Sequence, residues 1–114
     1  MEEIIQPKNL SECFEQLDSI MSDADDADWF KNADEQEAVI KSHHGLGRWI
    51  RNNWGLWTQD SRLHEYFNNL GLTHPDNMSS VILTSYHRHL NSVELNLEEQ
   101  IQHYIDFWKK EKKD

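Results

Sequence analysis

Histidine and cysteine side chains are the groups of this chain most suited to metal binding or nucleophilic catalysis, and there are seven histidines and one cysteine. A helix presents two metal ligands on one face only when they are three or four residues apart. Neither the adjacent pair His43-His44 nor the pair His87 and His89 has that spacing. Cys13 falls on the apolar side of a predicted helix, where a thiol is an inert core group. The sequence therefore predicts no metal site, no cofactor and no catalytic residue, and it favours binding over catalysis.

Residues 45–57 concentrate the side chains that could recognise a partner. This segment has three of the four glycines, three of the five tryptophans and two of the four arginines. Glycine lets backbones approach, tryptophan supplies a large rigid contact area, and arginine supplies a planar fork of donors. Such a composition is typical of the energetic centre of a protein interface, with Arg51 as the first choice for a polar anchor. The candidate partner-binding residues of the segment are Arg48, Arg51, Asn52, Asn53, Trp54 and Trp57.

The same segment has a second interpretation, which places its side chains inside the fold. Trp49, Ile50 and Trp54 would then be core residues. Arg51 and Asn52 would donate hydrogen bonds to carbonyl groups that are freed where a helix ends. The two interpretations differ in the exposure of these side chains, and the sequence leaves both open.

Acidic side chains are concentrated in the first third of the chain. Residues 1–40 have 2 basic and 12 acidic side chains, whereas residues 41–114 have 9 of each. An acidic face can steer a protein to a basic surface of a partner or imitate the phosphates of DNA, and it can also serve solubility alone. The basic side chains cluster in the tail over 109–114, so we expect no direct nucleic-acid binding. The acidic candidate contact residues are Asp23, Asp25, Asp26 and Asp28.

The length and composition predict a single cytoplasmic domain over residues 1–114, with no membrane association and with its oligomeric state left open. The lone cysteine cannot form an internal disulfide. The N-terminal residues show no basic stretch followed by an apolar run, and no segment approaches the roughly 18 apolar residues that span a bilayer. A chain of 114 residues is long enough to bury one hydrophobic core.

Amphipathic helices are predicted to position these residues, and no segment alternates like a strand. Asn9, Asn32 and Asp60 are the expected N-caps of the first three helices, and Gly71 is the expected left-handed terminator of the third. The fold class is therefore all-α, a compact single-domain bundle of about five helices. The predicted helices span residues 9–21, 32–55, 60–71, 73–90 and 96–108.

Two stretches break the regular pattern. Residues 22–33 are expected to be an acidic irregular stretch, because aspartates and alanines offer too little apolar surface to pack. Gly45 and Gly47 lie inside the second predicted helix, where each costs about 1 kcal/mol relative to alanine. They indicate a kink, a break into two helices, or a neighbouring backbone pressed close, and the sequence does not distinguish these.

Two runs of the sequence, residues 46–57 and residues 74–79, together resemble an uncharacterised family of small bacterial and phage domains. Members of that family share a G-L-G-x-W-I-R-N-x-[FW]-G-L-W run and a later H-P-D-[DN]-x-S run, and the resemblance covers about residues 9–91. The family has no assigned activity. The resemblance thus implies a shared helical fold and a bacterial or phage origin only.

His74-Pro75-Asp76 is also similar to the loop tripeptide by which J-domain co-chaperones engage their Hsp70 partners. The helix before that tripeptide is basic in the J-domain family, whereas residues 61–70 here have one arginine and one glutamate. We therefore expect these three residues to begin a helix, with proline and aspartate in its first turn.

The expected function is that of a non-enzymatic acidic protein-interaction domain of the inhibitor or immunity type, which occupies a partner protein with a basic surface. The uneven charge distribution motivates this expectation. Two alternatives stay open. One is a small enzyme or a small-molecule-binding domain, because the two runs could converge on a pocket near Arg51, Asn52, His74 and Asp76. The other is a DNA mimic that uses the acidic N-terminal third.

Overall fold

The computed structural model describes residues 5–21 and 24–112 of the protein. All regular secondary structure in these two ranges is helical, which confirms the predicted all-α class. None of the helices in the described ranges is long and apolar enough to cross a membrane. The elements are α1 Leu10–Ile20, α2 Ala24–Asn32, α3 Glu35–Ser42, a π-helical turn His43–Gly47, α4 Arg48–Asn53, α5 Arg62–Leu70, α6 Pro75–Leu90 and α7 Leu97–Lys112.

Helix α6 is the centre of the bundle. Its buried side chains point in most directions around the helix axis, as expected for a helix that other elements surround. The helices α1, α2, α3, α4, α5 and α7 all pack against it. A single hydrophobic core results, to which α6 contributes Met78, Val81, Ile82, Leu83 and Tyr86.

Helix α2 corrects the prediction of an irregular stretch over 22–33. Phe30 is 1% exposed and anchors the helix in the core. Its ring centroid lies 5.6 Å from that of His87 in α6. The Nε2 of His87 donates to the carbonyl oxygen of Ala33 at 2.8 Å, just beyond the end of α2. The prediction failed because one buried aromatic residue and a hydrogen bond from α6 stabilise a helix that its composition alone does not favour.

The chain over 35–53 is one continuous helical rod, where the sequence predicts a helix over 32–55. The rod begins later than predicted because Asn32 still belongs to α2, and Asp34 takes the N-cap position instead. It ends earlier because Gly55 has a φ of +72°, outside the helical region. With α2 added, the described residues form six helical rods rather than about five.

A π-helical turn in the middle of this rod contains both Gly45 and Gly47. A Cβ atom on Gly47 would lie 3.3 Å from the carbonyl oxygen of Ser42 and 3.6 Å from a methyl group of Leu83. A Cβ atom on Gly45 would meet nothing within 4 Å. Close packing therefore explains Gly47 but not Gly45.

The π turn also changes which apolar residues of this rod face the core. A π turn adds one residue to a helical turn, so residues before and after it cannot share one stripe of constant period. Ile50 and Trp54 are fully buried, in agreement with the second interpretation of residues 45–57, but Ile40 is 65% exposed. Ala38 takes the core position in α3 instead.

Two of the four capping residues predicted for the first three helices, Asn9 and Gly71, are confirmed, and the other two, Asn32 and Asp60, are wrong. Asn9 accepts a hydrogen bond from the amide of Glu12, and Gly71, with a φ of +110°, ends α5. His74 caps α6, because its Nδ1 accepts from the amide of Asp76 at 3.1 Å. The predicted N-cap at Asp60 is wrong. Ser61 caps α5 instead, and its Oγ accepts from the amide of His64.

Candidate functional site

Arg51 joins the two sequence runs that are distant along the chain. Its Nη1 donates to Oγ of Ser79 at 2.8 Å, and its Nη2 donates to the carbonyl oxygen of His43 at 3.2 Å. Its Nε lies 3.4 Å from Oδ1 of Asp76. Ser79 in turn donates to the backbone carbonyl of Asp76. The guanidinium therefore fastens the π-helical turn to the first turn of α6.

The local geometry around Arg51 depends on Gly47 and the π turn. A Cβ atom on Gly47 would lie 3.1 Å from Nη1 of Arg51, closer than a side chain comfortably allows. The missing side chain makes room for the guanidinium. His43 is the first residue of the π turn, and its carbonyl oxygen accepts from Arg51. Gly47 and the π-helical turn thus both position the side chain of Arg51.

The residues predicted to bind a partner divide between the interior and the surface. Trp54 is fully buried and Arg51 is 5% exposed, so neither is free to meet a partner. Asn53 is half-buried, and its Nδ2 donates to the carbonyl of Trp49 at 2.9 Å. The exposed members of the segment are Arg48, Asn52 and Trp57.

These exposed residues line an open cleft of about 580 Å³ that we call the Arg48 cleft. Trp57 is 56% exposed. Its Nε1 donates to Oδ1 of Asn52 at 2.9 Å, which fixes the indole at the edge of the cleft. The lining residues are His43, His44, Arg48, Arg51, Asn52, Trp57 and Asp76.

Of the four residues predicted to share a pocket, three line the Arg48 cleft and His74 does not. The His74 ring stacks on Trp108 of α7, with ring centroids 5.5 Å apart. Its Nδ1 is occupied by the amide of Asp76 as the cap of α6. The histidine therefore positions Asp76 at the cleft without lining the cleft itself.

The electrostatics of the cleft are dominated by positive charge. Partial burial lowers the pKa of His43 below its ordinary value of 6.5, and the nearby Arg51 and His44 lower it further. Asp76 acts in the opposite direction and is the smaller influence compared with Arg51. The neutral imidazole is therefore favoured at His43, beside two guanidinium groups.

A second concave surface lies in the acidic part of the protein, and we call it the N-terminal groove. It has a volume of about 250 Å³ between the end of α1, α2 and the π-helical turn. Trp29 is 45% exposed and Ile20 is 41% exposed. The residues that line it are Ile20, Met21, Asp26, Trp29, Phe30, Ser42 and Leu46.

The predicted acidic contact residues are only partly described at this groove. Asp26 lines it, and both Asp26 and Asp28 are exposed on α2. Asp25 lies in α2 as well. Asp23 lies outside the described residues. Sequence reasoning missed Trp29 as a surface group because it predicts an irregular stretch here. In the helix that forms, adjacent side chains point about 100° apart, and Phe30 enters the core while Trp29 stays at the groove.

Cysteine and the possible metal ligands can be located in the described residues. Cys13 is fully buried. Burial raises the pKa of its thiol far above the ordinary value, and the nearby Glu12 adds to the increase. A thiol held in this protonated form is a poor nucleophile. In the ranges 5–21 and 24–112 no three His, Cys, Asp or Glu side chains are grouped so that they could hold a metal ion.

Of the comparisons with known proteins, the one with family models gives a match. A family model described as "Domain of unknown function (DUF6794)" matches residues 6–90. No curated protein and no solved structure matches the chain. The matched range contains α1 to α6 and ends with the last residue of α6, so α7 lies beyond it.

Proposed function

The chain belongs to the DUF6794 family of domains of unknown function, and we propose that it is a non-enzymatic protein-interaction domain whose N-terminal groove binds a basic segment of a partner protein. We further propose that it acts as an inhibitor or immunity-type protein of bacterial or phage origin, by occupying that partner. The observation that carries the proposal is the half-exposed indole of Trp29 beside an apolar groove in the most acidic part of the chain.

Helix α2 has a fixed position beside the N-terminal groove. Phe30 is buried against α6 and fixes the helix, so the neighbouring Trp29 has a defined position although it is 45% exposed. Ile20 lies across the groove and is 41% exposed. A fixed tryptophan next to an open apolar groove is typical of an interface centre, because a partner gains a large buried area at a small entropic cost. A volume of about 250 Å³ suits one large apolar side chain of the partner.

The acidic side chains around the groove support a partner with a basic segment. Asp26 lines the groove and Asp28 is exposed on the same helix. Both belong to residues 1–40, which have 12 acidic and 2 basic side chains. Complementary charge raises the rate of association and excludes acidic partners. The bound segment should therefore flank its apolar side chain with lysine or arginine.

A pair of tryptophan variants tests which surface makes the contact. Wild type, Trp29→Ala and Trp57→Ala would be used to capture proteins from a lysate of the native host, and a captured partner would then be purified and its affinity measured. Both tryptophans are about half exposed, so the two variants are matched. We expect Trp29→Ala to weaken binding by about tenfold or more, and Trp57→Ala to leave it nearly unchanged. The reverse order would place the contact at the Arg48 cleft and contradict the proposal.

Charge reversal tests the electrostatic half of the proposal with the same purified partner. Changing Asp23, Asp25, Asp26 and Asp28 to lysine should slow association and weaken its dependence on salt. Unchanged association kinetics would show that the acidic face serves solubility only.

Competition with duplex DNA separates the proposed contact from DNA mimicry. If the proposed contact is correct, a DNA duplex displaces the protein from its partner only where the segment that binds the groove is also the partner's DNA-binding surface. If duplex DNA also displaces the Trp29→Ala variant from the partner, the contact depends on charge alone, which would favour a DNA mimic.

A further inference from the structure

We propose that the Arg48 cleft is a second binding site, which takes a nucleotide-like ligand by holding its phosphate at Arg48 and stacking its planar base on Trp57. The cleft shares no lining residue with the N-terminal groove. The proposed nucleotide site is therefore separate from the proposed protein contact, and the failure of either proposal leaves the other unaffected.

The phosphate end of the site is defined by cationic side chains. The side chain of Arg48 is exposed. Among the described residues, no hydrogen bond or ion pair holds its guanidinium, whereas that of Arg51 is held by Ser79 and by the carbonyl of His43. Arg51 lies below it in the same cleft, and His44 stands beside it. A guanidinium presents donors in a planar fork that matches two oxygens of a phosphate group.

The single carboxylate of the cleft does not cancel this positive charge. Asp76 is the one acidic residue that lines it, and its Oδ1 faces Nε of Arg51 at 3.4 Å. Arg48 is thus left as the uncompensated cation. The protein as a whole has a net charge of −10, so this cleft is a local exception in sign. A positive cleft of this kind attracts anions.

The base end of the site is defined by the indole of Trp57. Its Nε1 is satisfied by Oδ1 of Asn52, so the ring is fixed while 56% of the residue stays exposed. An exposed, oriented indole offers a flat face for stacking, which accepts any base because every base has a π surface. The cleft volume of about 580 Å³ falls within the range of about 300–1,000 Å³ typical of small-molecule sites.

Calorimetric titration of the full chain with the four nucleoside 5′-monophosphates tests the proposal. At least one should bind, with Arg48→Gln and Trp57→Leu each weakening the affinity by about tenfold or more. Arg62→Gln and Trp29→Leu are matched controls, because both residues are exposed and lie outside the cleft, and they should change the affinity less than about twofold. Circular dichroism and urea unfolding of each variant would verify that it is folded.

Two further titrations separate the parts of the ligand. Inorganic phosphate alone and adenosine alone should each bind at least about tenfold more weakly than the best nucleotide, because each lacks one of the two contacts. Lack of binding by all four nucleotides at about 5 mM would overturn the proposal. Binding that Arg48→Gln and Trp57→Leu leave unchanged would overturn it equally.

Discussion

At the scale of single residues, Arg51 illustrates how one side chain can serve the fold where the sequence suggests recognition. The composition of the surrounding segment is typical of an interface, yet Arg51 is only 5% exposed and its nitrogen atoms face Ser79, His43 and Asp76. The exposed arginine of the segment is Arg48, one helical turn earlier. Arg51 and Arg48 differ in burial, and the periodicity of the sequence does not predict which of the two side chains is buried.

The first prediction compares these two arginines. Arg51→Met should lower the free energy of unfolding by about 2–4 kcal/mol, because it leaves the Ser79 hydroxyl and the His43 carbonyl without their donor and Asp76 without its cation. Arg48→Met should change it by less than about 0.5 kcal/mol, because Arg48 is exposed. Urea unfolding of both variants measures the difference. Equal effects would contradict the structural role assigned to Arg51.

A second prediction compares the two glycines of the π-helical turn. Gly45→Ala should raise the free energy of unfolding by about 0.5–1 kcal/mol, since its new methyl group meets nothing within 4 Å and alanine favours a helix. At Gly47 the new methyl group would lie 3.1 Å from Nη1 of Arg51. That variant should be less stable than Gly45→Ala by about 1 kcal/mol or more.

Thermal and urea unfolding of the two alanine variants give this comparison directly. If Gly47→Ala proved as stabilising as Gly45→Ala, the space around the guanidinium would be larger than described, and Gly47 would have no packing role.

At the scale of elements, the third prediction concerns the start of α5. The hydroxyl of Ser61 accepts from the amide of His64 at 3.0 Å, whereas Asp60 is exposed before the helix. Ser61→Ala should lower the free energy of unfolding by about 1 kcal/mol through loss of the cap. Asp60→Ala, at the position that the sequence favours as the cap, should change it by less than about 0.5 kcal/mol. A larger effect of Asp60→Ala in urea unfolding would restore the sequence-based cap.

The elements also show how far the sequence predicts this fold. Helices α1, α5, α6 and α7 follow from periodic apolar residues and local caps, both of which are contained in a few neighbouring residues. Helix α2 was missed because its stability depends on Phe30 and on His87 of α6, which lies more than 50 residues away. The π-helical turn was indicated only as an irregularity at Gly45 and Gly47. The change of register that it causes between α3 and α4, with Ile40 exposed and Ile50 buried, required the structure.

The candidate surfaces were predictable to different degrees. The convergence of Arg51, Asn52 and Asp76 was suggested by the two sequence runs, and the structure places all three at one cleft. His74 was placed with them because of its neighbours in sequence, but its ring turns to Trp108. The N-terminal groove could not be predicted, because it forms only when α2 packs beside α1 and the π-helical turn.

At the scale of the whole molecule, the fourth prediction concerns the dependence of stability on pH. The pKa of His43 is lowered in the folded state by burial, Arg51 and His44, with Asp76 opposing. Below about pH 6.5 the unfolded chain therefore binds a proton that the folded chain accepts only at lower pH, and the free energy of unfolding falls as the pH is lowered through that window.

Urea unfolding between about pH 7.5 and pH 5 would test this contribution, with His43→Gln as the comparison. The variant should lose less stability over this range than the wild type, because its side chain has no proton to gain. An identical decrease in both proteins would assign the pH dependence to other groups.

Photo-crosslinking in the native host tests whether the acidic N-terminal groove is the surface that binds a basic partner. A photoreactive phenylalanine analogue would replace Trp29 in one variant and Trp57 in another, with the exposed Val93 of the α6–α7 connection as a control position. We expect a specific adduct from position 29, mapped by mass spectrometry to a segment in which an apolar residue is flanked by lysine or arginine. An adduct from position 57 with none from position 29, or a mapped segment that is acidic, would contradict it.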